Sequence, residues 1–322
     1  MNSRIFVAGG TGMAGSSIVK HLANKREGIK IRAGYLNSSP FFKHRQVEYI
    51  KCDLNSLDNC RKMAGGCDAG ILAAASTAGA YAINNNPWGG VNENLLMNAN
   101  LMEACRLEGV RRVILVGSAV VYQEHHSFIR EEELDLNRDP PGVYFGVGWM
   151  RRYLEKMARF WHDKFGLEVV VIRLANIYGP CAKFDPGFSN FIPAIIRKAV
   201  EGMDPFEVWG GPEVTRDVLY VDDFARAIAM ILESPGINCE IFNIGSGTKT
   251  TVGEVVELVL KLTGFCPGQV VYNRDKPTTM GLRALDCSKA KRLLGWEPLY
   301  TAEQGIKETI KWWTENKNTW KK

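Results

Sequence analysis

The stretch Arg4-Ile5-Phe6-Val7-Ala8-Gly9-Gly10-Thr11-Gly12-Met13-Ala14-Gly15 decides the fold. Its apolar start reads as a buried strand. The glycines satisfy G-x-G-x-x-G at 10, 12 and 15 and G-x-x-G-x-x-G at 9, 12 and 15, and a helical pattern opens at Met13. In a strand–loop–helix setting, glycines permit a tight turn and let the backbone approach a pyrophosphate, which the helix N-terminus stabilises. Gly9, Thr11, Gly12, Met13 and Gly15 are therefore expected to hold a dinucleotide.

Working outward, candidate strands recur at 30–35, 47–52, 68–74, 112–117 and 168–174, apolar throughout as strands covered on both faces are. Helical patterns at 13–24, 57–63, 94–107 and 147–164 separate them. This alternation predicts an α/β fold, a Rossmann-type doubly wound parallel sheet. Beyond Leu174 proline and glycine punctuate 179–212. A strand–helix pair follows at 217–232, then a strand at 241–244 and helices at 252–262 and 302–315. The expected division is a dinucleotide domain from 1–179 with 216–245, and a smaller α/β substrate domain from 180–215 with 246–322.

The chain has 322 residues, 46% hydrophobic and 23% charged, which excludes disorder and a fibrous fold. The net charge of +5 is spread along the chain in nothing longer than basic pairs, so no nucleic-acid footprint is expected. No apolar run is long enough to span a bilayer. The eight cysteines lack C-x-x-C spacing, so no metal site is expected, and a reduced, cytoplasmic protein is. An acidic residue about 20 positions beyond the glycines would bind the ribose hydroxyls of NAD. None lies between Glu27 and Glu48, whereas Arg32, Lys43 and Arg45 are available to a 2′-phosphate. The expected cofactor is NADP(H), with NAD(H) the alternative.

Further segments complete a pattern: Cys52-Asp53-Leu54, Leu72-Ala73-Ala74-Ala75, Gly117-Ser118-Ala119, Leu174-Ala175-Asn176-Ile177-Tyr178-Gly179-Pro180, Thr215-Arg216-Asp217, Asn243-Ile244-Gly245 and Leu294-Gly295-Trp296. Together they resemble the extended short-chain dehydrogenases/reductases of the NAD-dependent epimerase/dehydratase type over essentially the whole chain. Gly12–Ser16 and Val208-Trp209-Gly210 most resemble the GDP-fucose synthase branch. The resemblance implies an enzyme of nucleotide sugars working at a sugar carbonyl or hydroxyl, commonly C4, with GDP-linked substrates in view. It places Asp53 and Leu54 at the adenine, Ala73, Ala74 and Ala75 along the nucleotide, and Leu174, Asn176 and Ile177 near the nicotinamide. Ser118 matches the catalytic serine. Asn176, Asn190, Lys198, Trp209, Arg216 and Arg283 fall at substrate positions. Arginine offers a planar fork to phosphate and tryptophan a stacking face. The resemblance also implies a homodimer through the helices at 94–107 and 147–164, with Met97, Leu101, Phe160 and Trp161 in contact.

The chain departs from the family's Tyr-x-x-x-Lys, in which a tyrosine moves the proton and a lysine one helical turn on lowers its pKa. Counting back from Phe165-Gly166 puts Val147 and Arg151 at those positions; a second register puts Tyr144 and Gly148 there. Valine exchanges no proton, and a guanidinium is too basic for a relay. Ser118, Tyr144 and Arg151 are the expected catalytic group: Ser118 on the reacting oxygen, Tyr144 at the proton, Arg151 on the ribose. Val120 and Asn190 replace the cysteine and histidine that epimerise in the GDP-fucose synthase branch. His125, His126 and Cys181 are nearby groups able to substitute. A dinucleotide-binding sensor or scaffold with little or no turnover is the second reading.

Overall fold

The computed structural model describes residues 3–25, 27–77, 86, 88–276 and 284–320; Arg283 lies outside them. In chain order the strands are β1 (Arg4–Ala8), β2 (Lys30–Tyr35), β3 (Val47–Lys51), β4 (Ala69–Leu72), β5 (Arg112–Val116), β6 (Glu168–Leu174), β7 (Asn176–Tyr178), β8 (Phe206–Trp209), β9 (Thr215–Arg216), β10 (Val218–Tyr220), β11 (Ile241–Ile244), β12 (Thr250–Thr251) and β13 (Val270–Asn273). The helices are α1 (Met13–Lys25), α2 (Leu57–Ala64), α3 (Val91–Leu107), α4 (Phe145–Phe165), α5 (Phe191–Val200), α6 (Val221–Glu233), α7 (Val252–Thr263), α8 (Ser288–Leu294) and α9 (Ala302–Asn316).

Seven strands form one sheet in the order β11-β6-β5-β4-β1-β2-β3, and every pair in it is parallel. The doubly wound sheet expected from the alternation is thus present. Its side chains alternate between two cores. Ile5 and Val7 of β1 face one with Ile18 and Leu22 of α1 and Phe224 and Ile228 of α6. Phe6 and Ala8 face the other with Met63 of α2, Met102 of α3 and Leu154 of α4. Both faces are covered, which is why these strands read as unbroken apolar runs.

A third core lies outside the sheet: Ile195 and Ile196 of α5, Phe206 and Val208 of β8, Val255 and Val259 of α7, and Trp312 and Trp313 of α9. β8 pairs with β13, β9 with β12, and β7 with β10. The punctuation at 179–212 conceals α5 and β8. Pro193 is the third residue of α5, where a missing N–H breaks no intrahelical bond.

A buried polar hub locks sheet, helix and loop together. Arg173 of β6 makes two hydrogen bonds to the carboxylate of Glu155 on α4, at 2.8 and 3.0 Å. The side chains are only 3% and 8% exposed. Arg173 Nη1 also donates to Tyr122 Oη and the Glu131 carbonyl. Tyr122 donates in turn to Asn243 of β11, and Asn243 Nδ2 donates to the carbonyls of Ile129 and Asp286. No helix of the described residues is long and apolar enough to cross a membrane.

Two expectations change. Leu101 is 1% exposed and belongs to the core rather than an outer face; Met97 and Trp161 pack partly against the same core, and of the four only Phe160 is exposed. Arg32 is turned away from the dinucleotide loop. It points along the sheet to α2, where Nη1 donates to the carbonyls of Lys62, Met63 and Gly65 at 2.9–3.0 Å and closes the end of that helix. Helix C-terminal carbonyls lack intrahelical partners and carry partial negative charge, so a guanidinium stabilises them. Arg32 is therefore a helix cap, not a ligand for a 2′-phosphate.

Truncating one partner of the hub leaves the other charge buried alone. Glu155→Ala is expected to lower the unfolding free energy by about 3–5 kcal/mol, measured by urea denaturation.

Candidate active site

The glycine loop is built for close approach. Gly9 has φ +77°, a conformation open to glycine, and a Cβ on it would meet Ala74 Cα at 2.7 Å. A Cβ on Gly15 would overlap the Gly9 carbonyl. Gly12 differs: its nearest neighbour would be the Gly9 carbonyl oxygen at 3.4 Å, so its outer side is free for a ligand. The N-terminal N–H groups of α1 begin at Met13, and Met13 also packs against the third core. Thr11 is buried beside it. The loop therefore fits a dinucleotide pyrophosphate, with Ala73 and Ala74 against it and exposed Ala75 continuing from β4. Asp53 is exposed, its Oδ1 accepting from the backbone and side-chain N–H groups of Asn55, while Leu54 is buried in the core.

Ser118 follows β5 and caps the short turn Ala119–Val121, its Oγ accepting from Val120 N at 3.4 Å. It lines a small cavity with Ala119, Leu174, Ala175, Asn176, Asp217 and Leu285. Three expected site residues thus meet there: Ser118, Leu174 and Asn176. Ile177, next along β7, packs toward the sheet core. Asp217 forms part of this cavity's wall. Its Oδ1 accepts from Ser246 N at 2.6 Å and Ser246 Oγ at 2.8 Å, and its Oδ2 from Leu285 N at 3.2 Å. Burial raises its pKa and these donors oppose the rise. With its oxygens committed, Asp217 is a brace rather than a proton carrier.

Helix α4 packs on the turn that follows Ser118. A Cβ on Gly148 would meet the Val120 carbonyl at 2.7 Å, so glycine lets the helix seat against the Ser118 turn. Arg151, one turn on, is buried, and its Nη1 donates to the carbonyl of Val116, two residues before Ser118, at 3.1 Å. Burial pushes its pKa down to about 10, so it remains a cation at neutral pH. Val147 is partly buried against the core. Tyr144 is buried at the residue before α4 begins.

A second wall stands on the third core. Two ammonium groups lie over the indole of Trp209, Lys198 Nζ at 5.9 Å and Lys276 Nζ at 5.7 Å from the ring centroid. Its Nε1 donates to Glu207 Oε2 at 3.2 Å, and Lys198 donates to the Glu207 carbonyl at 2.7 Å. Burial lowers the pKa of Lys198. Arg216 Nη1 donates to the Thr215 carbonyl, and Asn190 caps α5 with an exposed amide that makes no capping bond. Lys276 was not among the residues expected at the substrate.

The groups named as substitutes lie elsewhere. His125 and His126 line a separate cavity of about 270 Å³ with Glu124, Phe128 and Arg138. Cys181 is buried, with φ +64°.

The family model for the NAD dependent epimerase/dehydratase family matches residues 5–245. A GDP-L-fucose synthase of Sinorhizobium fredii is 28% identical over 326 aligned residues, covering 97% of this chain and 96% of that protein. A UDP-glucuronate 4-epimerase of Thermodesulfobacterium geofontis is 30% identical over 247 residues, 76% of this chain and 72% of that protein. The crystal structure of UDP-glucose 4-epimerase with UDP-glucose from Thermotoga maritima superposes with TM-score 0.84 at 25% identity, covering 97% of this chain and 99% of that one.

Two glycine variants separate packing from ligand approach. Gly15→Ala is expected to disrupt the loop and lower Tm. Gly12→Ala is expected to hold unfolding stability within about 0.5 kcal/mol while weakening dinucleotide binding at least about tenfold, compared by thermal unfolding and calorimetric titration.

Proposed function

The chain belongs to the NAD dependent epimerase/dehydratase family, and from that premise we propose that it is an NAD(P)-dependent nucleotide-sugar epimerase or reductase acting at a sugar carbonyl or hydroxyl, C4 first. The observation that carries this reading is the pairing of Ser118 and Asn176 in one cavity, with Arg151 bonded to the last residue of the same strand that delivers Ser118. A bound nicotinamide supplies hydride exchange with the sugar carbon. The protein's own groups do the rest. Ser118 donates to the reacting oxygen, Arg151 holds the nicotinamide ribose and keeps a positive charge at the end of β5, and Tyr144 moves the proton. Trp209 stacks the nucleobase, with Lys198 and Lys276 beside it, while Arg216 and Arg283 meet the diphosphate and Asn190 the sugar. Asp53 and Leu54 border the adenine.

NADP(H) is the proposed cofactor, with NAD(H) the alternative. With Arg32 committed to α2, this rests on the neutral run Asn37-Ser38-Ser39 beyond β2 and on exposed Lys43. A homodimer is also proposed. Leu96 of α3 and Tyr153 and Phe160 of α4 are 42–52% exposed on the two helices concerned. Light scattering is expected to give twice the chain mass, and a single-chain mass would remove the dimer.

The decisive assay mixes the protein with NADPH and 4-keto nucleotide sugars, GDP-linked first, and follows absorbance at 340 nm. A substrate-dependent fall is expected. Ser118→Ala and Tyr144→Phe are expected to slow it about 10²- to 10⁴-fold with dinucleotide affinity retained. The partly buried Val147 at the usual tyrosine position favours the second reading, a dinucleotide-binding sensor or scaffold. Tight dinucleotide binding with no turnover of any sugar, including by internal redox, would establish that one instead.

A further inference from the structure

The segment 36–46, which joins β2 to β3, divides its side chains between two cores. Phe42 packs against the first core, together with Val47 and Tyr49 of β3. Its neighbour Phe41 meets the tryptophans of the third core instead. The Phe41 ring stands edge-on to Trp312 of α9, with centroids 5.6 Å apart, and to Trp320 beyond α9, at 5.9 Å. Trp320 stands edge-on to Trp312 in turn, at 4.9 Å, and its Nε1 donates to the Ala182 carbonyl at 2.8 Å. Both ends of the segment thus belong to the central sheet, while its middle is tied to the third core.

These contacts close a ring that includes the glycine loop. Gly10 N donates to the Gly34 carbonyl at 2.8 Å, near the end of β2. From there the chain runs through Asn37, Ser38 and Ser39 to Phe41. Phe41 touches the third core, and so does Met13, at the start of α1. The chain from Met13 back to Gly10 completes the ring. Gly12, whose outer side is open, lies on it. The hook itself is shallow. Phe41 remains 51% exposed, whereas Trp312 is 9% exposed. Edge-to-face pairs add only modestly to the area they bury. Releasing Phe41 breaks its two ring contacts and leaves the stack of Phe184 on Trp313, at 4.1 Å, behind it intact. A loop held in this way leaves and returns while both cores stay packed, and such loops gate ligand entry and release.

We propose that residues 36–46 are a clasp on the dinucleotide, fastened by Phe41 against Trp312 and Trp320, and that the cofactor exchanges only while the clasp is unfastened. The inference rests on the dinucleotide reading of the glycine loop and adds a barrier to exchange. A dinucleotide seated on Gly12 and reaching toward the end of β2 has residues 36–41 beside its adenosine half. The C-terminal aromatic cluster then acts on the cofactor through Phe41, without touching it. Trp312 and Trp320 are positioning residues in this scheme.

The test is the rate at which dinucleotide leaves. The full chain is loaded with NADPH, or with NADH where that binds more tightly, and chased with an excess of the oxidised form. Stopped flow follows the loss of energy transfer from tryptophan to the reduced nicotinamide. Phe41→Ala and Trp320→Ala are each expected to speed release by about three- to tenfold. The double variant is expected to release no faster than Phe41→Ala, because both changes undo one fastening. Phe41→Tyr keeps the ring and is expected to hold the wild-type rate. Thermal unfolding checks that each variant folds. An unchanged release rate in folded Phe41→Ala overturns the proposal and leaves the dinucleotide reading standing. Faster release in Phe41→Ala with the wild-type rate in Trp320→Ala would put Phe41 on the adenosine itself, and overturns it too. Additive acceleration in the double variant would make the two residues independent, again overturning it. Failure of the wild type to bind NADPH or NADH would remove the dinucleotide reading, and this one with it.

Discussion

The ion pair between Arg173 and Glu155 is the joint on which the site turns. Glu155 lies one helical turn beyond Arg151, so the pair fixes the rotation of α4 about its axis. That rotation brings the Arg151 guanidinium to the Val116 carbonyl. On its other side Arg173 reaches Tyr122 and the Glu131 carbonyl, and through them Asn243 and Asp286. A charge pair sequestered in this way gains little net stability, because desolvation opposes attraction. What it supplies is registry: strand, helix, crossover loop and edge strand meet in one arrangement.

Within that frame the glycine loop leaves room for a dinucleotide, and the Ser118 turn and the start of β7 share one small cavity. At the helix facing them, a partly buried valine and a buried arginine take the two positions where a phenol and an ammonium are expected. An arginine that stays charged supplies electrostatic stabilisation without exchanging protons. On the proposed reading, proton movement is separated from ribose binding and falls to Tyr144, buried at the start of the same helix.

The central sheet was legible because its physics is local. Strands covered on both faces must be apolar at every position, and the glycine pattern ties the first of them to a helix. Segments whose partners are distant in sequence were harder to read. β8 pairs with β13, some sixty residues on, and neither carries a local signature. α5 was hidden by Pro193, a residue that stops helices elsewhere but not in their first turn. Arg32 and Leu101 illustrate the same limit at the level of side chains. An arginine near a cofactor loop and a leucine on an interface helix have plausible roles in sequence; only packing shows one capping α2 and the other filling the core.

Asp217 also bears on the order in which the molecule assembles. Its carboxylate gathers Ser246 and Leu285, which lie 29 and 68 residues further along the chain. Contacts of such long sequence separation form late, since the loop-closure entropy must be met before they return any stabilisation. During synthesis the first six strands leave the ribosome before β11 and before Leu285. The nascent chain can therefore form its dinucleotide loop while the floor beside Ser118 is still open. A chain built in this order completes its glycine loop first and the floor beside Ser118 last, when the final segment reaches back to a buried carboxylate.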